Sequence, residues 1–280
     1  MASRIFAEGL LDGQVVIVTG GGAGLGRATA LEMVSCGATV IVSGRRLEPL
    51  EETVEMASGG RCFSIAADIR KEDEIKLLVD RVLADHGRID TLVNNAGGQF
   101  LSPAETISPK GFRTVMELNV TGTWLMTHEV VTRAMIPAGG GKVVNVTLSP
   151  HHGLPGMAHS SASRAAVENL TRVLSIEWAR YNIKLTAIAS GHFGTETLMT
   201  KYPQQMVDGI ASTIPLQRLG KPEEQAWMIT FLASPAGDFH SGSIITIDGA
   251  RDNWNGVWPP VDLRTETGDP LAEQRKPRDV

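Results

Sequence analysis

Seven short runs of β-branched and apolar residues punctuate this 280-residue chain. They are Val15–Val18, Thr39–Val42, Cys62–Ala66, Thr91–Val93, Val143–Val146, Lys184–Ile188 and Ile244–Ile247. Continuous apolar runs of this length suit strands covered on both faces, the situation inside a parallel sheet. Between them the pattern changes to a helical period. Ile75, Leu78, Val79, Val82 and Leu83 fall at i, i+3, i+4, i+7 and i+8, and Gly87 supplies a stop. Val167, Leu170, Leu174 and Trp178 line one face of a later helix. Strands alternating with helices predict an α/β fold: a doubly wound parallel seven-stranded sheet with helices on both faces and right-handed crossovers.

The first strand runs into Thr19-Gly20-Gly21-Gly22-Ala23-Gly24-Leu25-Gly26. Glycines let a backbone turn tightly and approach a pyrophosphate, and the following helix N-terminus offers N–H groups to the anion. In a chain with 30 glycines the spacing alone means little; its place between a strand and an amphipathic helix gives it meaning. The sheet is therefore expected to be of the Rossmann type. An NAD site commonly carries an acid at the end of the second strand, to hold the ribose 2′-hydroxyl. Here Ser43-Gly44-Arg45-Arg46 has none. An arginine pair can grip a 2′-phosphate, so NADP(H) is the preferred cofactor and NAD(H) the alternative. The plain alternative is that Arg45 and Arg46 are solvated residues starting a helix. A net charge of −5 gives no basic field for nucleic acid. Cys36 and Cys62 lack metal-site spacing and read as buried thiols, so no metal is expected. No apolar run of about 18 residues reads as a membrane span. Met1–Gly9 carries no continuous apolar stretch, so a cytoplasmic protein is expected. Nothing resembles a linker before residue 250. Residues 1–249 read as a single dinucleotide-binding and catalytic domain, and 250–280 as a C-terminal extension. In that extension Trp254 and Trp258 are expected to pack, ahead of a mobile polar tail.

At this point the sequence resembles the short-chain dehydrogenase/reductase family over about Leu11 to Gly249. Thr19 to Gly26 matches its T-G-x-x-x-G-x-G. Asp68 and Ile69 match the pair that flanks adenine, and Asn94-Asn95-Ala96-Gly97 matches the segment behind the cofactor. Asn119 matches a helix asparagine that holds a proton-relay water. Ser190-Gly191 and Thr195 match the segment beside the nicotinamide carboxamide, with Ser in place of Pro. Together with Arg45 and Arg46 from the end of the second strand, the resemblance implies a cofactor site built from Thr19, Gly20, Gly24, Leu25, Gly26, Asp68, Ile69, Asn95, Ala96, Gly97, Arg164, Gly191 and Thr195. It also implies a homotetramer.

The family's catalytic set is a serine followed about thirteen residues later by Tyr-x-x-x-Lys. The corresponding stretch is Ser160-Ser161-Ala162-Ser163-Arg164, with serine in the tyrosine's place and arginine in the lysine's. The chain has only two tyrosines, Tyr181 and Tyr202, and neither occupies the motif. Counting back from Ser160 places the first serine at Thr147; the strand pattern places it at Leu148. A serine hydroxyl donates a hydrogen bond but carries protons poorly near neutrality without a base. Arginine stays charged and cannot replace lysine in proton exchange.

Within the family the chain looks most like members that reduce a carbon–carbon double bond of an acyl-CoA, the trans-2-enoyl-CoA and 2,4-dienoyl-CoA reductases. Asn95 to Ala104, Gly111 to Thr123 and Ala158 to Ala165 carry this likeness. Such a reaction needs donors for a developing enolate oxygen rather than a phenolic acid. Asn119, Thr147, Ser149, Ser160 and Arg164 are the catalytic candidates. Gln99, Phe100, His159 and Tyr202 are the substrate-binding ones, facing a small molecule expected to be an acyl-CoA. Plainer readings stand beside them: Ser160 and Ser161 as helix caps, His159 and Phe100 as packed core, and His151 and His152 as solvated loop residues. Asp248 reads as structural. Two other functions stay open. One is a carbonyl reductase or alcohol dehydrogenase of the 3-oxoacyl or 3-hydroxyacyl type with an altered relay. The other is a nucleotide-binding protein whose chemistry has decayed.

Overall fold

In the computed structural model, which describes residues 3–57 and 59–254, seven strands form one sheet. They are β1 (Val15–Thr19), β2 (Thr39–Gly44), β3 (Cys62–Ala66), β4 (Thr91–Asn94), β5 (Gly141–Leu148), β6 (Ile183–Ser190) and β7 (Ile244–Ile247). Their spatial order is β3-β2-β1-β4-β5-β6-β7. All six pairings are parallel. This is the expected Rossmann-type α/β sheet, and the chain reverses its direction of winding between β1 and β4. Such a switch point leaves a crevice at the carboxyl ends of the strands.

Alternate residues of each strand build a core on either face. On one side Ile17, Ile41, Leu92, Val143 and Leu185 pack with α3 (Glu72–His86) and α5 (Gly122–Val130). The same layer includes Leu174 of α7 (Ala158–Glu177). On the other side Val16, Val40, Val93, Val144 and Ile188 pack with α1 (Gly24–Ser35) and α10 (Pro222–Ala233). α2 (Leu47–Met56) joins this second layer through Leu50. The periodic positions Ile75, Leu78, Val79 and Val82 are all buried, and Gly87 ends α3 with φ 76°. Cys36 and Cys62 are buried free thiols, and burial pushes Cys62 up to about 11.

Two further segments frame the crevice. α4 (Pro109–Met116) continues through a π turn, Glu117–Thr121, into α5. A second π turn, Val131–Met135, leads to α6 (Ile136–Ala138). After β6, α8 (Glu196–Lys201) and α9 (Gln204–Ser212) form a separate arm. The chain beyond β7 makes one short turn, Arg251–Asn253. Trp254 is half-buried. The rest of the expected extension, Trp258 included, lies outside the described residues. No helix among the described residues is long and apolar enough to cross a membrane.

Candidate active site

The glycine-rich turn is held to the end of β4 by side chains from both. Thr19 Oγ1 accepts the backbone N–H groups of Asn95 (3.1 Å) and Ala96 (3.0 Å). Asn95 Nδ2 donates back to the Thr19 and Gly20 carbonyls at 3.0 and 3.3 Å. Gly26, in the first turn of α1, sits so close to this junction that a Cβ would lie 2.3 Å from the Gly20 carbonyl oxygen. The first turn of α1 contains no acid, so its N–H groups face the crevice without a competing charge. Thr195 at the start of α8 packs beside Gly24, where a Cβ would stand 3.4 Å from its methyl carbon. Gly191 lies against Asp248. Leu25 is half-buried one residue further into α1.

A cleft of about 220 Å³ opens beside the turn, lined by Gly20, Arg45, Asp68, Ile69, Ala96 and Gly97 among others. Arg45 and Arg46 are both exposed, and among the described residues neither has an ion-pair partner. Arg45 lines the cleft; Arg46 stands at the start of α2 and is not part of that lining. Asp68 is engaged by the Arg70 guanidinium through both oxygens. That contact holds its carboxyl down at about 2. This crevice fits a dinucleotide on three counts: glycines where a Cβ would collide, helix N–H groups without a nearby acid, and unpaired arginines at the end of β2.

The motif helix α7 presents its first turns to the loop after β4. Ser160 Oγ donates to Gln99 Oε1 at 2.6 Å, and both the hydroxyl and the neighbouring His159 are fully buried. The His159 ring packs on Phe100 with centroids 4.2 Å apart. Neither of its nitrogens has a partner among the described residues, and burial pushes its pKa down, so it is neutral. Four candidates separated by about sixty residues in sequence therefore meet in pairs. The capping reading of Ser160 and Ser161 does not hold: both lie inside α7, whose N-cap is Met157. The core reading of Phe100 fails too, since its ring is 42% exposed.

Arg164, one turn on, donates to the Val146 carbonyl at 2.9 Å. Its other terminal nitrogen lies against Gly97, where a Cβ would be only 2.1 Å away. Burial lowers this guanidinium to about 10, still charged at neutrality. It has no carboxylate partner among the described ion pairs. A half-buried cation next to the cleft, without an ion-pair partner among the described residues, is ready for ribose hydroxyls or an anionic oxygen. Asn119 sits fully buried in the π turn, a helix irregularity frequent at functional sites. Its amide is fully used: Oδ1 accepts from Gly98 N, and Nδ2 donates to Gly98 O and to Ser163 Oγ. The side chain is a brace between the β4 loop and α7.

The two hydroxyls expected from β5 stand apart from the Ser160–Gln99 pair. Thr147 Oγ1 donates to Glu168 Oε1 at 2.9 Å, on the α7 face. Ser149 Oγ donates to Asp248, the acid read as structural. The strand ends at Leu148, so the register that puts Leu148 at the family's serine position leaves no hydroxyl there. Tyr202 lies just past α8, 43% exposed, with no described partner in the site. Sequence reasoning missed Glu168. An acid at i+4 from Arg164, adjoining the apolar stripe of Val167, Leu170 and Leu174 on the same helix, is the signal that marks it. His151 and His152 are exposed, as expected of loop histidines, but sequence reasoning missed that both bond to Asp252.

The chain is similar to proteins of known sequence and structure. The family model described as enoyl-(acyl carrier protein) reductase matches residues 20–250. A peroxisomal 2,4-dienoyl-CoA reductase [(3E)-enoyl-CoA-producing] from Danio rerio is 33% identical over 264 residues, covering 91% of this chain and 85% of its own. The 2-dehydro-3-deoxy-D-gluconate 5-dehydrogenase of Escherichia coli (strain K12) is 36% identical over 244 residues, with coverages of 85% and 95%. Among solved structures, the citronellol catabolism dehydrogenase (AtuB) of Pseudomonas aeruginosa PAO1 superimposes with a TM-score of 0.80 and 42% identity. That match covers 90% of this chain and 100% of the other.

Proposed function

Starting from the fact that this chain belongs to the short-chain dehydrogenase/reductase family and is an NAD(P)-dependent oxidoreductase, we propose that it reduces a carbon–carbon double bond conjugated to an acyl-CoA thioester. The observation that carries this reading is the Ser160–Gln99 hydrogen bond in the place of the family's tyrosine. Ser160 spends its only proton on Gln99 Oε1, which turns the Gln99 amide N–H groups outward as donors. Amide donors can stabilise an enolate oxygen but cannot protonate a carbonyl oxygen on the way to an alcohol. The exposed Phe100, on the same loop, is the apolar wall for the acyl chain.

We assign the cofactor to residues Thr19, Gly20, Gly24, Leu25, Gly26, Asp68, Ile69, Asn95, Ala96, Gly97, Gly191 and Thr195, with Arg164 for the ribose. A bound nicotinamide supplies the hydride. Asn95 and Thr19 keep the glycine turn and the β4 loop in one rigid piece, while Asn119 braces that loop against α7. Arg45 and Arg46, unpaired and exposed, support NADP(H) over NAD(H). Every residue assigned here to cofactor or substrate falls within residues 1–249. The apolar Val173 and Ile176, exposed on α7, and Trp124 on α5 support the assembly of copies into a homotetramer.

A second reading, oxidation or reduction of an alcohol–carbonyl pair, has its support in the similarity to the E. coli gluconate-type dehydrogenase. The test is steady-state oxidation of NADPH against trans-2-enoyl-CoA, 2,4-dienoyl-CoA and 3-oxoacyl-CoA of matched chain length. Turnover of the enoyl or dienoyl compounds is expected, and turnover confined to 3-oxoacyl-CoA overturns the proposal.

A further inference from the structure

Every reduction by hydride also consumes a proton, and the hydrogen bond between Ser160 and Gln99 joins neither to an acid that could replace one. A separate chain of hydrogen bonds runs from the surface to the carboxyl end of β5, the edge of the sheet where the crevice lies. Asp252 Oδ2 meets His151 Nδ1 at 2.5 Å. His151 Nε2 meets Glu168 Oε1 at 3.2 Å. Thr147 Oγ1 meets the same Glu168 oxygen at 2.9 Å. From His151 inward exposure falls: the His151 side chain is 33% exposed, the Glu168 side chain 7%, and Thr147 as a residue 3%, while Asp252 behind His151 is 14% exposed. One end is wet, and the other is dry, one residue short of the end of β5.

The arrangement is costly unless it does something. A carboxylate buried in α7 without an arginine or lysine partner among the described residues must find its countercharge elsewhere. The group facing Glu168 is His151, which a second carboxylate, Asp252, grips from behind. His152 shares Asp252. Asp248 accepts from the Asp252 N–H group, and Arg164 stands one helical turn from Glu168 on α7. Burial pulls the His151 pKa down, but Asp252 and Glu168 more than offset it and hold the imidazolium above the ordinary histidine range.

We propose that Asp252, His151, Glu168 and Thr147 form the route by which a proton from solvent reaches the reacting carbon. The inference rests on the reductase reading but holds for any substrate this site reduces. In the enoyl case, the hydride forms one C–H bond, and the π electrons move toward the thioester oxygen. The carbon beside the carbonyl then takes the proton of the Thr147 hydroxyl. As that O–H bond breaks, the threonine oxygen recovers a proton through Glu168 from His151 Nε2–H. His151 is left neutral and regains its proton from water. Asp252 takes no proton; it fixes the imidazole tautomer so that Nε2 faces inward, a positioning role.

The experiment compares wild type with His151→Gln, Glu168→Gln, Thr147→Val and Thr147→Ser. It uses whichever of the enoyl-CoA or 3-oxoacyl-CoA substrates the wild type reduces. For the first three variants kcat is expected to fall at least tenfold with KM and NADPH affinity within twofold. A larger solvent deuterium isotope effect on kcat is expected as well. Thr147→Ser keeps the hydroxyl and should keep the rate, and added imidazole should restore His151→Ala. In the free protein, NMR titration should show the His151 ring protonated above the ordinary range, and lower in Glu168→Gln. Unchanged kcat and isotope effect in His151→Gln, or a His151 that titrates the same with and without Glu168, overturns the route. Turnover of 3-oxoacyl-CoA alone would overturn the enoyl reading while leaving the route to be judged by the same variants.

Discussion

The crevice has two walls, and they spend their polar groups differently. On the β1–β2 side, Thr19 and Asn95 bond to backbone, and the charged Arg45 and Arg46 are left unpaired. On the β5–α7 side, each candidate hydroxyl is already committed: Thr147 to Glu168, Ser149 to Asp248, Ser160 to Gln99. The first wall offers backbone N–H groups and free cations to a phosphate-bearing ligand. The second is a set of side-chain pairs, and its chemistry belongs to the pair rather than to either member. The family's tyrosine makes a single residue the acid; in the proposal made here that work is divided between a donor pair and a separate route for the proton.

If this contrast is right, damage to the first wall should appear in binding and damage to the second in kcat. The largest effect is expected from Gly26→Val. Its side chain meets the Gly20 carbonyl, and overpacking of about 1–3 kcal/mol or more should weaken NADPH at least tenfold, read by fluorescence titration. Gln99→Leu should lower kcat by about a hundredfold, the scale for a lost oxyanion donor, and leave NADPH affinity unchanged. Loss of cofactor affinity instead would mean the two walls are not separate. Arg45→Ala with Arg46→Ala should raise the NADPH Kd by about tenfold, as expected when charge-assisted bonds worth about 1.5–3 kcal/mol each are lost. The NADH Kd should not move, and a parallel rise would break the assignment of the arginines to a 2′-phosphate.

The smallest effect is on stability. The His151 pKa is raised by folding, so its contribution is complete below about pH 6.5 and is lost as pH rises through the folded value. Burial works to raise Asp252, but its bonds to His151 prevail and lower it. Its contribution is therefore present above about pH 3.9 and lost as pH falls through the folded value. Thermal stability should peak between those limits. Asp252→Asn should flatten the peak by about 1–3 °C, the scale of a partly exposed ion pair.

The fold was legible because it rests on local patterns. Val15–Val18 is apolar on both faces, Ile75 to Val82 has a helical stripe, and Gly87 marks the stop. The first wall was legible for the same reason: Thr19 to Gly26 and Arg45-Arg46 are contiguous, and the turn's geometry demands glycine. The second wall was legible only as a list of suspects. Ser160 and Gln99 are 61 residues apart, and His151 and Asp252 are 101 apart. No spacing rule links them, because the sheet order brings them together. Thr147 and Ser149 read as free donors in sequence, since nothing local shows that Glu168 and Asp248 will take their protons.

The central claim is that hydride goes to an alkene carbon. It is tested most directly by following the label from NADPH carrying deuterium at C4 into an equimolar mixture of trans-2-enoyl-CoA and 3-oxoacyl-CoA of equal length, with the products read by mass spectrometry. The account predicts deuterium on the acyl chain of a saturated product. Deuterium found only on the carbinol carbon of a 3-hydroxyacyl product would contradict it.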